Sequence, residues 1–562
     1  MPPANLSSSG IIGLLEPTMG DHRIDGPAEI PPQGSPAEPE QLATPPSRAG
    51  VPRGFRQLAL ALFAMAVAVW LVPPRAKVGR PDEQYFGAIA WTILRGGVMY
   101  RDCWDNKGPL VHYALAGVAA LTDGSPRSYS LTALLLLLIA QVGLMLALAM
   151  VGDPEAGAGA AILLALCGAA AMAAMLSGDL AAMAMMAVGL VAVVAGRPLA
   201  CGLCWGLALL SKPSVLPPIA AACASWVAAE AMVRGRRSAL CLGGWGLLGL
   251  ALACGIPLAI LVVLGAGPDM YRMLIRYNLA HVSAAPWPQA LSEFLDTGVR
   301  HLGRTAAASL LPVVALPVLV RGRPREAWGT PLGRCLATAS AWFLASLVTY
   351  PLLRHFREPY AYYLLPLLPA GAVLTSLCCA AVRGHRRNYA VCLVAACLVA
   401  VLGAANRARV ATGAWRRILM GADLAHWAGS DAVRAGLYVR AHSRPHDRLW
   451  WGPEAVAAAF WAQRATGCRI ICPDYYLNVW PGREDRRVPP AIAALFADVW
   501  DILRDDLSTR RPLYVLLSAD PQLPPQESAA TARLRRMLAR AYSLEATIGH
   551  LQLWRLRGSV AP

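Results

Sequence analysis

The run YSLTALLLLLIAQVGLMLALAMV, residues 129–151, holds no charged side chain over 23 residues. A helix rises about 1.5 Å per residue, so a run of this length covers the ~30 Å hydrocarbon core of a bilayer. Inside a bilayer the backbone has to satisfy its own hydrogen bonds, which a helix does. We therefore predict a transmembrane helix at 129–151.

Ten further apolar runs repeat this pattern. They lie at 57–72, 157–176, 179–195, 199–211, 213–232, 239–264, 303–320, 335–353, 360–381 and 389–404. A shorter run at 110–122 would reach only about 20 Å as a helix, so it is expected at the membrane interface or as a re-entrant segment. The predicted fold class is mainly α, a polytopic membrane bundle of about eleven spans with a C-terminal soluble α/β domain.

The composition excludes a purely soluble protein. Of the 562 residues, 56% are hydrophobic and 15% charged, and the mean hydropathy is +0.45. Basic residues exceed acidic ones by 17, but they form short Arg clusters between apolar runs, at 197, 234–237, 321–334 and 383–387. Such clusters are typical of cytoplasmic loops and not of a nucleic-acid surface. The chain is thus expected in the inner membrane, with segments 73–128, 265–302 and 354–359 and everything beyond 405 outside.

Three regions follow from this pattern. Residues 1–54 are predicted to be a disordered cytoplasmic tail, because the first 50 hold ten Pro and no sustained apolar periodicity. Residues 55–405 form the transmembrane domain. Residues 406–562 are expected to form the extracytoplasmic α/β domain, with a strand-like run at Leu513–Ser518 and a helical run at 528–542. There, Cys468 and Cys472 either form a disulfide or remain two thiols.

The loop after the first span carries the densest charges of the chain: Asp82, Glu83, Arg101, Asp102, Asp105 and Lys107. Acidic residues directly after a proline also occur where a helix merely begins, and that interpretation stays open for the first two. Taken together, the carboxylates offer a general base and the cations offer a site for a lipid phosphate, whose charge rests at headgroup depth. This loop is the first candidate site.

Several stretches resemble one family. DEQYFGAIAWTILRGGVMYRDCWDNKGPLVHYALAG (82–117) resembles the first outer loop of the membrane GT-C glycosyltransferases, in particular family 39, with the protein O-mannosyltransferases and lipid A aminoarabinose transferases. GRPLACGLCWGLALLSKPSVLPP (196–218) and RHFREPYAYYLLPLLPAG (354–371) are similar to its glycine-rich helix and its late outer turn. Asp179 matches an acidic residue at the outer end of a mid-chain helix. Lys107-Gly108-Pro109 departs from the usual Lys-Pro-Pro or acidic-Lys-Pro, which leaves the local backbone undecided.

The resemblance implies transfer of a sugar, with inversion, from a polyprenyl-phosphate carrier to an acceptor hydroxyl on the outer face of the inner membrane, within the cell envelope. It implies that Asp82 is the base and that Glu83 supports it. It assigns the donor phosphate to Lys107, Arg101, Lys212, Arg354 and His355, with Asp102, Asp105 and Asp179 as supporting acidic residues. It requires no nucleotide cofactor. The sequence shows no clear metal site, although Asp82, Asp102 and Asp179 could together hold a divalent cation.

Other interpretations stay open. Lys212, Arg354 and His355 also fit interfacial anchors. A secondary transporter or lipid flippase also fits the apolar spans, although the chain has no matching halves. A polysaccharide polymerase or ligase would carry its key charges in a late outer loop, and 265–302 is less dense in paired acids than 80–109. The sugar, the polyprenol and the acceptor, whether lipid, glycan or protein, are not specified by the sequence.

Overall fold

The computed structural model describes residues 53–73, 81–172, 177–282, 306–309, 311–320, 324–352, 364–381, 405, 408–420, 430–452, 455–471, 490–518 and 529–559. The compact unit Arg53–Pro562 contains all of them. Its described part is mainly helical, with one small sheet near the C-terminus.

Apolar helices follow the predicted runs through the first half of the chain. They are α1 (Arg53–Leu71), α2 (Pro81–Leu94), α3 (Pro109–Leu121), α4 (Pro126–Met150), α5 (Pro154–Met172), α6 (Gly178–Val194), α7 (Pro198–Ser211), α8 (Leu216–Arg234) and α9 (Arg236–Val263). After α9 come α10 (Gly267–Met270), a π-helix (Tyr271–Tyr277), α11 (Asn278–Val282), α12 (Ala306–Ser309), α13 (Leu311–Val320), α14 (Pro331–Leu352) and α15 (Leu368–Ala381).

Among the described residues, four helical segments are long and apolar enough to cross a membrane: Pro126–Met150, Pro213–Arg234, Arg236–Val263 and Pro331–Thr349. Shorter apolar helices surround them, among them α3, α6 and α7. The chain is therefore a multi-pass membrane protein. The number of eleven spans stays a prediction, and the run at 389–404 lies outside the described residues.

Local sequence explains where these helices begin. Proline stands at the first turn of α3, α4 and α7, where its missing N–H costs nothing. The side chains of Ser125 and Ser177 accept hydrogen bonds from the first turns of α4 and α6. The short run at 110–122 is a regular helix, α3, that packs against both α2 and α7. It thus belongs to the helical bundle.

Small residues bring α7 close to α9. A Cβ atom at Gly202 would meet the backbone of Gly246, and one at Gly249 would meet the backbone of Leu199. Gly206 faces Ala253 in the same interface. Such backbone contact is typical of packed transmembrane helices. It fixes α7, which ends at the candidate site, inside the bundle.

Arginines gather at the opposite end of these helices. Arg334 donates to the carbonyl of Val194 at the end of α6 (2.8 Å), and Arg325 donates to the carbonyl of Met232 near the end of α8 (2.7 Å). Arg197 precedes α7 at this same end, while Lys212 follows α7 at the other. The helices therefore separate an arginine-rich end from the end that holds the candidate site residues.

The C-terminal part of the chain is an α/β region. Its elements are α16 (Asp431–Ala441), β1 (Arg448–Trp451), α17 (Val456–Ala462), β2 (Ala465–Thr466), α18 (Pro490–Leu495), α19 (Val499–Thr509), β3 (Tyr514–Ser518), α20 (Ala529–Ala539), β4 (Tyr542–Ile548) and β5 (Leu551–Leu556). The strand order is β2-β1-β3-β5-β4, parallel among β2, β1 and β3 and antiparallel among β3, β5 and β4. The strand predicted at Leu513–Ser518 is β3.

This region packs directly onto α2. The Thr92 hydroxyl near the end of α2 accepts a hydrogen bond from the backbone N–H of Thr466 at 3.0 Å. Gly87 faces the ring of Phe460 so closely that a Cβ atom would overlap it. Cys468 lies buried with its thiol 3.4 Å from a carboxylate oxygen of Asp506. The predicted Cys468–Cys472 bridge remains a prediction, because Cys472 lies outside the described residues.

Candidate active site

The site begins where α7 ends. The last turn of α7 is held between the starts of α3 and α6, because two glycines leave room for its backbone. A Cβ atom at Gly108 would meet the carbonyl of Leu210, and one at Gly178 would lie 2.5 Å from the carbonyl oxygen of Ser211. At Lys107-Gly108-Pro109 the sequence departs from the family pattern and leaves the local backbone undecided. In the structure, the backbone at Gly108 makes a close contact with α7 that requires glycine.

This packing pairs Lys212 with Asp179. Lys212 directly follows α7, and its Nζ lies 3.0 Å from Oδ2 of Asp179 in the first turn of α6. Both side chains are nearly buried, 10% and 2% exposed. The Asp179 carboxylate also interacts electrostatically with Lys107 and with Asp82. Residues from α2, α6, α7 and the loop before α3 thus form one charged cluster, which we call the lysine cluster: Asp82, Lys107, Asp179 and Lys212.

A second carboxylate holds Lys107. Nζ of Lys107 lies 3.4 Å from Oδ1 of Asp105 and 5.4 Å from the centre of the Phe86 ring on α2. On the other side of Asp105, Nε2 of His112 lies 3.0 Å from Oδ2. The His112 side chain is fully buried and packs edge-on against Phe86, with 5.0 Å between ring centres. Lys107 is thus supported by a carboxylate, an imidazole and an aromatic ring.

Electrostatics keep the Asp105 carboxyl ionised. Burial desolvates it, which by itself would raise its pKa, but the positive charge of Lys107 and the contact with His112 outweigh that effect. The backbone N–H of Asn106 also donates to Oδ1 at 2.7 Å. The pKa of Asp105 therefore lies well below its usual range. A permanent negative charge beside Lys107 favours the protonated ammonium at this position.

The loop 95–108, between α2 and α3, is fixed from within. Tyr100 has a φ of +68°, a left-handed conformation that is uncommon for a non-glycine residue. Its backbone N–H donates to the carbonyl of Cys103 at 2.8 Å, and its buried hydroxyl donates to the carbonyl of Lys107 at 2.7 Å. From outside, Asn278 donates to the carbonyl of Asn106 at 2.8 Å. The backbone on both sides of Lys107 is therefore held in place.

The two predicted acidic residues at the start of α2 differ in exposure. Asp82 is half-buried, whereas Glu83 is buried at 5% exposure. The Glu83 carboxylate interacts electrostatically with Tyr129 of α4. Asp82 instead contributes to the field at Asp179. The more accessible carboxylate is thus the one that belongs to the lysine cluster.

Arg101 and Asp102 form a different network. The Arg101 guanidinium donates to Asp102 at 2.8 Å and to the carbonyl of Leu264 at 3.0 Å. Asp102 also pairs with Arg510 of the C-terminal region at 3.2 Å. The structure therefore does not bring these two predicted residues into the lysine cluster. The other two predicted phosphate ligands, Arg354 and His355, lie outside the described residues.

A divalent cation held by Asp82, Asp102 and Asp179 stays a prediction: Asp102 pairs with Arg510, whereas Asp82 and Asp179 belong to the lysine cluster. Over the described parts of the chain, no group of three or more His, Cys, Asp and Glu side chains is arranged to hold a metal ion.

Sequence reasoning missed His112. Its position one turn into an apolar helix gave no signal of its contact with Asp105, since the two residues meet only when the loop folds back. A second signal was present but unused: the chain contains three lysines among its 51 basic residues, and two of them are Lys107 and Lys212.

Comparison with solved structures places this geometry in a known fold. No protein-family model and no curated protein matches the chain. The structure of ArnT from Cupriavidus metallidurans bound to undecaprenyl phosphate is similar at a TM-score of 0.54, with 14% identity over 91% of this chain and 100% of that one. The apo structure of the same protein gives 0.53, with 15% identity over 89% and 98%.

A weaker likeness exists to the Archaeoglobus fulgidus oligosaccharyltransferase tethered with an acceptor peptide, at a TM-score of 0.47 and 13% identity over 90% of this chain and 74% of that one. The likeness to ArnT extends over almost the whole of both chains, and it agrees with the family that the motifs indicate. The chain therefore has the fold of the GT-C glycosyltransferases.

Proposed function

We propose that this protein is a membrane glycosyltransferase that moves a sugar from a polyprenyl-phosphate carrier to an acceptor hydroxyl on the outer face of the inner membrane. The observation that carries the proposal is the lysine cluster. Two ammonium groups and two carboxylates, one from each of four separate segments, lie together at one end of the helices. A lipid phosphate presents its charge at such a membrane boundary, where cations can bind it.

In the proposed reaction, Asp82 accepts the proton of the acceptor hydroxyl. The hydroxyl oxygen forms a bond to the anomeric carbon from the face opposite the carrier, which inverts that carbon. The bond between the anomeric carbon and the phosphate oxygen breaks, and its electron pair remains on the polyprenyl phosphate. Lys107 and Lys212 stabilise the charge that develops there, as preorganised cations do for a leaving phosphate. Glu83 orients Asp82.

The pairing of each lysine with a carboxylate supports this role. An ammonium carries three N–H donors, so one lysine can contact a carboxylate and a phosphate oxygen together. Asp105 and Asp179 hold the two ammonium groups before the donor arrives. The ligand of the ArnT structure, undecaprenyl phosphate, suggests the class of carrier.

The test compares cells with and without the gene. The lipid-linked sugars that accumulate without it are identified by mass spectrometry and supplied to the purified full-length protein in bilayer nanodiscs. Wild type should release polyprenyl phosphate and glycosylate an acceptor. Asp82→Asn should lower the rate by about 10²- to 10⁴-fold, the usual contribution of a general base. Asp501→Asn, on the exposed side of α19, is the matched control.

Two outcomes contradict the proposal. If no lipid-linked sugar accumulates and the extract is not turned over by wild type, the protein is not a transferase of this class. If Asp82→Asn is as active as wild type, the sugar transfer uses another base.

A further inference from the structure

Asp506 is the centre of a buried ion network in the C-terminal region. It lies on α19 and is 1% exposed. Its carboxylate accepts hydrogen bonds from the backbone N–H and the Nε of Arg469 at 2.8 and 3.1 Å. It also pairs at 3.3 Å with Nε of Arg510, the residue that directly follows α19. A buried carboxylate with this many charged partners holds them in fixed positions.

Arg469 connects Asp506 to the loop 95–108 at Trp104. The carbonyl of Arg469 accepts a hydrogen bond from the backbone N–H of Trp104 at 2.7 Å. The Arg469 guanidinium lies 5.9 Å from the centre of the buried Trp104 ring and 3.6 Å from the Asp269 carboxylate near the start of the π-helix segment. Trp104 is three residues from Lys107. Arg469 therefore contacts the backbone of the loop just before Asp105.

Arg510 connects Asp506 to the same loop at a second place. Nη1 of Arg510 lies 3.2 Å from Oδ1 of Asp102, and Nη2 donates to the carbonyl of Arg101 at 3.2 Å. Asp102 in turn accepts the backbone N–H of Val98 at 2.7 Å. Burial by itself would raise the pKa of Asp102, but Arg101, the Val98 N–H and Arg510 lower it. Arg510 therefore contacts the loop at residues 101–102, and Arg469 contacts it at residue 104. Both arginines also pair with Asp506.

We propose that Asp506 is a positioning residue for the donor site, which sets the place of Lys107 through Arg469 and Arg510. The inference rests on the proposed function, since it assumes that Lys107 binds the carrier phosphate. It assigns the C-terminal region a part in donor binding: the region completes the loop that presents Lys107. A displacement of about 1 Å at such a group is enough to weaken its action substantially.

The test uses the chain's scarcity of lysine. With three lysines in the sequence, reductive methylation of the full-length protein in nanodiscs reports on Lys107 and Lys212 separately by peptide mass spectrometry. The probe is undecaprenyl phosphate, added in increasing amounts. In wild type it should protect both lysines. The concentration that half-protects Lys107 should rise about 10- to 100-fold in Asp506→Asn and Arg510→Gln, the range typical of lost supporting contacts.

Two features separate positioning from a general loss of structure. Lys212 is fixed by the helix contacts at Gly108 and Gly178, so its unprotected labelling rate should stay at the wild-type value in both variants. Arg510→Lys retains one charge toward Asp102 and Asp506 and should recover part of the loss. Arg504→Gln removes an exposed ion pair with Asp501 on the same helix and should leave both lysines unchanged.

The outcomes are distinct. If undecaprenyl phosphate protects neither lysine in wild type, the proposed function is wrong. If it protects both in wild type and the half-protecting concentration at Lys107 is the same in Arg510→Gln, the positioning role is wrong and the proposed function stands. If Asp506→Asn does not fold, Asp102→Asn combined with Arg510→Gln decides the matter. The double variant should then raise the half-protecting concentration by less than the product of the two single-variant factors, because Asp102 and Arg510 contact each other.

Discussion

Lys107 and Lys212 stand out because the chain otherwise uses arginine at nearly every basic position. An ammonium is compact and carries three rotatable donors, whereas a guanidinium is a planar fork that occupies more space. Lys107 is confined between Asp105 and the ring of Phe86, and Lys212 is 10% exposed beside Asp179. Charge alone therefore does not explain the choice of lysine at these positions.

We expect Lys107→Arg and Lys212→Arg each to lower undecaprenyl phosphate affinity about tenfold or more, although both keep the positive charge. The reason is that the larger guanidinium has to displace a carboxylate or an aromatic neighbour. Affinity is measured by displacement of a fluorescent polyprenyl phosphate analogue. Arg504→Lys, at an exposed position, serves as the control and should have no effect. Full affinity in both lysine variants would mean that any cation suffices.

The depressed pKa of Asp105 predicts a pH dependence of stability. A carboxyl whose pKa is lowered on folding stabilises the folded state above the usual aspartate pKa of about 3.9, and the contribution disappears as the pH falls below that value toward the folded pKa. Asp105→Asn should therefore lower the free energy of unfolding by about 1–3 kcal/mol at pH 7, as expected for lost hydrogen bonds to a charged group.

The measurement is thermal unfolding of both proteins in detergent between pH 7 and pH 3. The difference in Tm should be constant down to about pH 5 and shrink below pH 4. A difference that stays constant down to pH 3 would show that the lost stability does not come from the Asp105 charge. Asp501→Asn, an exposed aspartate, should show little difference at any pH.

Two glycines determine how closely the end of α7 packs against the starts of α3 and α6. Gly108→Ala and Gly178→Ala would each push a methyl group into the backbone of Leu210 or Ser211. We expect each change to destabilise the fold by about 1–3 kcal/mol and to weaken undecaprenyl phosphate binding, because it moves Lys212 away from Asp179. Tm and binding affinity are read on the same samples.

Gly117→Ala is the matched control for these glycines. It lies on the same helix as the start of the site, α3, and nothing lies within 4 Å of the place where its Cβ would be. Alanine at such an open helical position should leave binding unchanged and stability equal or higher. If Gly108→Ala behaves like Gly117→Ala, the close contact with α7 is not needed.

The sequence predicts individual helices better than it predicts which helices pack against each other. The uncharged run at 129–151 predicts α4 (Pro126–Met150) to within three residues at either end, because apolar length and helix geometry suffice. The pairing of Lys212 with Asp179 follows instead from Gly108 and Gly178, whose role depends on which helix backbones approach each other. The ion network of Asp506 is harder still to predict from the sequence, because it joins residues about 400 positions apart, such as Asp102 and Arg510.

For the whole molecule, the structure separates two chemically different ends. Arg325 and Arg334 contact the ends of α8 and α6, while Lys212 and Asp179 lie at the opposite ends of α7 and α6. Arginine-rich loops favour the cytoplasm, so the lysine cluster and the C-terminal region that packs on α2 are expected outside. The predicted orientation thus leads to a direct test.

An epitope tag is placed after Gly235, at the turn between α8 and α9, or after Pro562. In intact spheroplasts, antibody should reach the tag after Pro562, whereas the tag after Gly235 should become accessible only on permeabilisation. Gly235 has no neighbour within 4 Å of a Cβ position, so a short insertion is tolerated there. A C-terminal tag that requires permeabilisation would reverse the orientation and separate the site from an outer-face acceptor.

The brevity of α7 has a consequence for the surrounding lipid. With 14 residues, α7 is about 21 Å long, which is roughly 9 Å less than the ~30 Å hydrocarbon core of a bilayer. A carrier lipid whose headgroup reaches Lys212 has to lie deeper than the neighbouring lipids. The leaflet is therefore locally thinner around it. The proposed sugar transfer should consequently be faster in thin bilayers of short-chain lipids than in thick ones, so that membrane thickness itself would control its rate.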